Sequence, residues 1–217
     1  MIEFDETKKA RIILDSTRES IESFFELFEK NTNRQAAPAN KEIDLLRAAL
    51  TFAASGLDST LKQLIRDCLP KLVKLENSEK GFITYIVKEL RGDLEYDDES
   101  KGRKFLAEIL ISDSPQEELI KKYVEHLTNG SLQNTQELDK CRSALGINKL
   151  IDKDRKMIGE IFQKRNKIIH ELDANLTISK KGKRHRNRHS KKDIRKDCDV
   201  LLKECETIIK EVENNLK

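Results

Sequence analysis

Apolar residues recur along this chain at intervals of three and four, the spacing that gathers them on one face of a helix. Ile12, Ile13, Ile21, Phe24, Phe25 and Phe28 follow it and predict a first helix over about residues 4–30, closed by the turn-forming segment NTNRQAAPAN at 31–40. A second helix is predicted from about Glu42 to Leu69, ending at Pro70 because the residue before a proline disfavours the α region. Shorter helices are expected at about 79–91, 101–112, 115–128 and 135–145. Ser114-Pro115 followed by Glu117 and Glu118 reads as a capped helix start, Asn129-Gly130 as a stop, and the acidic stretch from Gly92 to Gly102 as an exposed loop. A long helix from about Asp152 to Leu172 and a last one from about Asp193 to Lys217 complete the pattern.

The second helix is apolar on two sides. Ile43, Leu46, Leu50, Leu57, Leu61, Leu64 and Ile65 belong to one broad stripe, and Leu45, Ala49, Phe52 and Gly56 form a smaller patch roughly opposite. Such a helix is either central in its own domain or shared with a partner chain. The small residues Ala48, Ala49, Ala53, Ala54, Ser55 and Gly56 would admit a second helix closely in either case.

Composition agrees with helices. Only 8 Gly and 3 Pro interrupt 217 residues, and Lys, Glu and Leu lose little rotamer freedom in a helix. With no Trp, the core falls to Leu, Ile and Phe. The expectation is an all-α protein forming a single domain over 1–217, an up-and-down bundle with 71–150 as a helical insertion or elaborated middle and 173–192 as a basic loop. Cys68, Cys141, Cys198 and Cys205 show no CxxC spacing, and the start MIEFDETKKARII is charged, so a reduced cytoplasmic protein with free thiols is expected. No apolar run approaches membrane-spanning length, and no membrane contact is expected.

The formal net charge of +3 conceals an asymmetry. Lys180, Lys181, Lys183, Arg184, Arg186, Arg188, Lys191 and Lys192 carry no acid between them; without these eight, the 42 basic residues fall to 34 against 39 acids. Positive potential is therefore concentrated in one run, which reads either as a phosphate-binding loop or as a solvated loop. A zinc site from His185, His189, Cys198 and Cys205 would match no familiar finger spacing, and no metal or cofactor is expected.

Just upstream lies RNKIIH, Arg165 to His170, inside the long helix. Met157, Ile158, Ile161, Phe162, Ile168, Ile169 and Leu172 span an arc of roughly 140° on the wheel, with Arg165 near its middle and Asn166 and His170 stacked on its flank. A guanidinium does not deprotonate, so there it must find a carboxylate, a wet cleft or a partner chain, unless it snorkels to the surface beside an ordinary flank histidine. Arg184 and His189 repeat the Arg-x4-His spacing, but in a segment with no apolar residue to hold them.

An Arg-Asn-x3-His run late in an all-helical chain is similar to the HEPN superfamily, and RAALTFAASGLDSTLKQL at 47–64 resembles its second helix, with the acid Asp58 in the middle. The ribonuclease-L-like branch is the nearest in pattern, over about 42–69 and 152–217. The resemblance implies a metal-independent endoribonuclease, working as a homodimer with its site at the twofold interface. Arg165, Asn166, His170 and Asp58 would be the site residues, and RNA the substrate. A toxin or phage-defence setting, with an antitoxin or regulatory partner, comes from the resemblance alone. Leu172 stands where some of these toxins carry a tyrosine that is nucleotidylated, so that regulation is not expected. The chemistry suits the residue types. Histidine can move protons near neutral pH, and an arginine fork can stabilise the charge that develops on a phosphorane. Two other readings remain open: a catalytically silent HEPN-like module that binds RNA or a protein, and a helical scaffold whose basic loop docks on acidic partners.

Overall fold

The computed structural model describes residues 4–32, 38–74, 76–91, 99–175 and 185–217. Among them are eight helices: α1 (Asp5–Thr32), α2 (Asn40–Leu72), α3 (Glu76–Arg91), α4 (Glu99–Leu110), α5 (Pro115–Thr128), α6 (Thr135–Ala144), α7 (Asp152–His170) and α8 (Lys191–Asn215). A two-residue antiparallel pairing of β1 (Ala174–Asn175) with β2 (His185–Arg186) is the sole departure from an all-α fold among the described residues.

α2 is the axis of the molecule. α1 lies along it, and α5, α6, α7 and α8 also pack on it. Both of its apolar faces are therefore used within the chain. Leu46, Leu50, Leu57, Leu61, Leu64 and Ile65 are fully buried, and on the second side Ala49 and Gly56 are buried while Phe52 meets Phe24 of α1 edge-on, ring centres 5.1 Å apart. Gly56 faces Thr17 so closely that a β-carbon there would fall on the threonine side chain. The small-residue stretch of α2 is the seat of α1, so its two-sided pattern needs no second chain.

Described residues of α3, α5 and α6, and of the loop between α5 and α6, join the same core. Tyr85, Ile120, Tyr123, Leu127, Leu132, Leu138 and Cys141 belong to one buried cluster with the side chains of α1, α2, α7 and α8. Arg142 (α6) donates to Glu204 (α8) at 2.5 Å and to the Asn148 carbonyl at 2.7 Å. At the C-terminal end of α8, Arg11 of α1 holds Glu213 through Nε at 3.0 Å and Nη2 at 2.6 Å. The four cysteines are buried and free. Burial pushes the Cys68, Cys141 and Cys198 thiols up to about 12, which makes them poor nucleophiles.

Several boundaries differ from the expectation for physical reasons. α2 does not stop at Pro70 but runs one turn through it, closed by the Val73 N–H on the Leu69 carbonyl at 2.8 Å. Leu69, Leu72 and Val73 are buried while Pro70 and Arg66 are exposed, so the hydrogen bond that proline removes lies on the solvent side. Ser114 occupies the N-cap of α5 without a side-chain capping bond. Gly102 lies inside α4, pressed against the Leu90 carbonyl of α3, rather than in a loop; residues 92–98 fall outside the described residues. α7 ends at His170 instead of running to 172, because Leu172 and Asp173 turn into the left-handed region (φ 49° and 54°).

Candidate functional site

The last turns of α7 climb out of the core. Ile158, Ile161, Phe162 and Ile168 are buried, Met157 is partly so, and Ile169, His170 and Leu172 are exposed. Arg165 thus sits half-buried at the edge of the core rather than in its middle. Its Nη1 donates to Asn166 Oδ1 at 3.0 Å, which draws the guanidinium toward the flank that Asn166 shares with His170. Its Nε is buried and has no acceptor among the described residues. Burial lowers the Arg165 pKa, and the charge of Asp58 opposes the shift without eliminating it. Among the described residues, no hydrogen bond holds His170.

Asp58 is occupied elsewhere. Its Oδ1 accepts the Leu132 N–H at 2.7 Å and its Oδ2 pairs with Lys62 at 2.9 Å, so it caps the loop between α5 and α6. It acts on Arg165 through its field, while its direct partners are the Leu132 N–H and Lys62.

The most constrained polar cluster near this end of α7 was not anticipated from sequence. Asp173, 3% exposed, receives Arg47 Nε at 3.0 Å and His189 Nε2 at 2.5 Å on Oδ2, and Asn187 Nδ2 at 3.0 Å on Oδ1. Burial works to raise the Asp173 pKa, but the hydrogen bonds from Asn187, Arg47 and His189 outweigh it and hold the carboxyl below its ordinary value. With the carboxylate ionised, His189 Nε2 must carry the shared hydrogen. Arg47, also 3% exposed, uses its remaining N–H groups on Asp44 Oδ1 at 2.9 Å and on the Asn187 carbonyl at 2.6 Å. The Asp173 N–H closes on the Lys167 carbonyl at 3.0 Å, and its own carbonyl accepts the Asn187 N–H at 2.9 Å. One carboxylate therefore ties together α2, the end of α7 and the foot of the segment leading into α8. This corrects the expectation for the second Arg-x4-His match: His189 is held firmly, by Asp173, although no apolar residue surrounds it in sequence. The sequence signal that could have found it is Asp173 itself, an acid directly after a helix end and beside a cationic run.

The basic run is described only in part. Lys180, Lys181, Lys183 and Arg184 fall outside the described residues, and of Arg186 only the backbone pairing is described. Arg188 and Lys192 are exposed and form no ion pair among the described residues. Lys191 pairs with Glu29 of α1, as Arg195 does with Glu22. No group of three or more metal-binding side chains occurs among the described residues, where Cys198 and Cys205 are buried and His189 is committed to Asp173. No described helix is long and apolar enough to cross a membrane.

The comparisons with known proteins add no relative: no family model, no curated protein and no solved structure matches this chain.

Proposed function

We propose that the protein is a metal-independent endoribonuclease of the HEPN type, acting as a homodimer. The observation that carries this reading is the state of Arg165: half-buried and, among the described residues, without a contacting carboxylate and with a buried Nε lacking an acceptor, on the same helix end as the exposed His170. An orphaned buried donor costs about 1–3 kcal/mol, and a turn of the guanidinium onto a phosphate oxygen would remove that cost.

In this reading His170 takes the proton from the RNA 2′-hydroxyl, whose oxygen attacks the adjacent phosphorus. The bond to the 5′-oxygen breaks and that oxygen receives a proton, leaving a cyclic phosphate. Arg165 stabilises the charge on the non-bridging oxygens. A second copy of the chain supplies the second histidine, and the exposed Ile169 and Leu172 beside His170 give the two copies an apolar contact. Asp58 holds the field around Arg165, and Arg188 and Lys192 draw in the RNA backbone. The toxin or defence setting, the antitoxin partner and a cytoplasmic location belong to the same proposal.

A second reading draws on His170 itself, to which no hydrogen bond runs among the described residues: a HEPN-like module that binds RNA without cutting it. Incubating the purified protein with single-stranded RNA in EDTA separates the two. The nuclease gives cyclic-phosphate ends; intact RNA that remains bound favours the silent module.

A further inference from the structure

A cleft distinct from the α7 terminus opens between α3, α5, α6 and the start of α7, with a volume of about 640 Å³. That lies within the usual range for small-ligand sites. Its lining is cationic: Lys80 and Lys88 from α3, Lys140 from α6, Lys149 and Arg155. The one acid in the lining, Asp139, is ion-paired with Arg155 and accepts the Leu150 N–H at 2.9 Å. Lys140 pairs with Glu137 at 2.6 Å. Lys80, Lys88 and Lys149 form no ion pair among the described residues, so three ammonium groups face one concavity without a counter-charge in contact. Glu89 and Glu125 are near enough to influence Tyr85, but neither lines the cleft.

The wall beneath these cations is aromatic. Tyr85 packs on Tyr123 with ring centres 5.0 Å apart and on His126 at 4.9 Å. Burial lowers the His126 pKa, so at neutral pH the imidazole contributes an uncharged ring. Gly81 keeps this wall open: a β-carbon there would stand 3.0 Å from the Tyr123 hydroxyl. Thr84, Gln136 and Ser143 add hydrogen-bonding groups. Separate point cations suit a ligand with more than one phosphate, since an ammonium binds phosphate as a compact charge. An aromatic and apolar wall suits a planar ring.

We propose that this cleft binds a nucleotide carrying two or more phosphates, with the phosphates at Lys80, Lys88 and Lys149 and the base against Tyr85 and His126. Arg155 is separated from His170 by about 22 Å along α7 at 1.5 Å per residue, so this site is separate from the proposed cleavage site and does not depend on that reading.

The test is calorimetric titration of the full chain with ATP, pyrophosphate and adenosine at low salt, repeated on the Lys80→Ala/Lys149→Ala variant. These lysines are exposed, so the variant should melt with the wild type. The proposal expects one ATP per chain, bound more tightly than pyrophosphate or adenosine, and an affinity at least about tenfold lower in the variant, the loss of a charge-assisted hydrogen bond. It also expects His170→Ala to bind ATP like wild type. Absence of ATP binding at millimolar concentration, or equal affinity in the lysine variant, would overturn it. Pyrophosphate binding as tightly as ATP would remove the base contact and with it the nucleotide assignment. A short single-stranded RNA that displaces ATP at lower concentration would make the cleft an RNA path instead.

Discussion

Asp173 and His189 lie 2.5 Å apart, Oδ2 to Nε2, where the end of α7 meets the strand leading into α8. Because Arg47 of α2 shares the same oxygen, this contact fixes the turn after His170 to the central helix. Asp173→Ala would take the buried carboxylate from Arg47, leaving it the more exposed Asp44, and release the turn. The expected cost is about 3–5 kcal/mol, read as a lower urea midpoint at neutral pH; a midpoint equal to wild type would contradict the role given to this carboxylate.

The same group gives stability a dependence on acid. The Asp173 pKa is held below its ordinary value of 3.8, so its contribution is fully present above that value and is lost as the pH falls through the lower folded-state value. Asp173→Asn removes this titration. The stability gap between wild type and Asp173→Asn should therefore narrow as the pH falls below about 4, in paired thermal melts; a constant gap would assign the effect of the variant to packing alone.

Gly56 and Thr17 mark the closest approach of α1 to α2. Gly56→Ala should destabilise by about 1–3 kcal/mol, as overpacking does. Adding Thr17→Ala to that chain should recover part of the loss. The recovery is incomplete because the Thr17 β-carbon itself would stand 2.8 Å from the new methyl. Additive losses in the double variant would mean that the helices do not meet there.

Under the proposed function, the cationic residues divide into two groups. Arg188→Ala and Lys192→Ala should each reduce the salt slope of single-strand RNA binding by about 0.7 for the one phosphate that each side chain neutralises. Lys191→Ala should leave the slope nearly unchanged, because Lys191 is engaged with Glu29. A slope that responds to Lys191 and not to the other two would reverse the assignment.

The dimer in this proposal is tested at Leu172, which is 69% exposed and left-handed. Leu172→Asp relieves a backbone conformation that leucine rarely adopts, so folding should be preserved or improved. Sedimentation should show wild-type dimers and variant monomers at micromolar concentration, with cleavage abolished alongside. A wild-type monomer would remove the shared site.

The helices were legible because Leu, Ile and Phe at helical spacing carry their own direction of burial, as in Ile21 and Phe25 or Leu61, Leu64 and Ile65. Pro70 misled because local backbone preference was outweighed by the burial of Leu69 and Leu72, a tertiary effect. Which of two partners α2 would take was open in sequence, and the fit of Gly56 to Thr17 decides it in favour of α1. At the site, Arg165, Asn166 and His170 share one helix and could be placed by periodicity. Asp173, Arg47 and His189 could not: Arg47 and Asp173 are far apart in the chain, and His189 stands in a run whose composition reads as solvated. Asp58 was visible as an acid on the right helix, but its bond to the Leu132 N–H depends on a loop whose path no periodicity encodes.

Under the proposed function, His170 moves a proton during RNA cleavage. Its direct test is a single assay of wild type and His170→Ala on single-stranded RNA in EDTA, with RNA affinity measured alongside. The account predicts cyclic-phosphate products from wild type, a loss of about 10²–10⁴-fold in the variant, and nearly equal RNA affinities. Equal cleavage by the two proteins, or no cleavage by either, would contradict it.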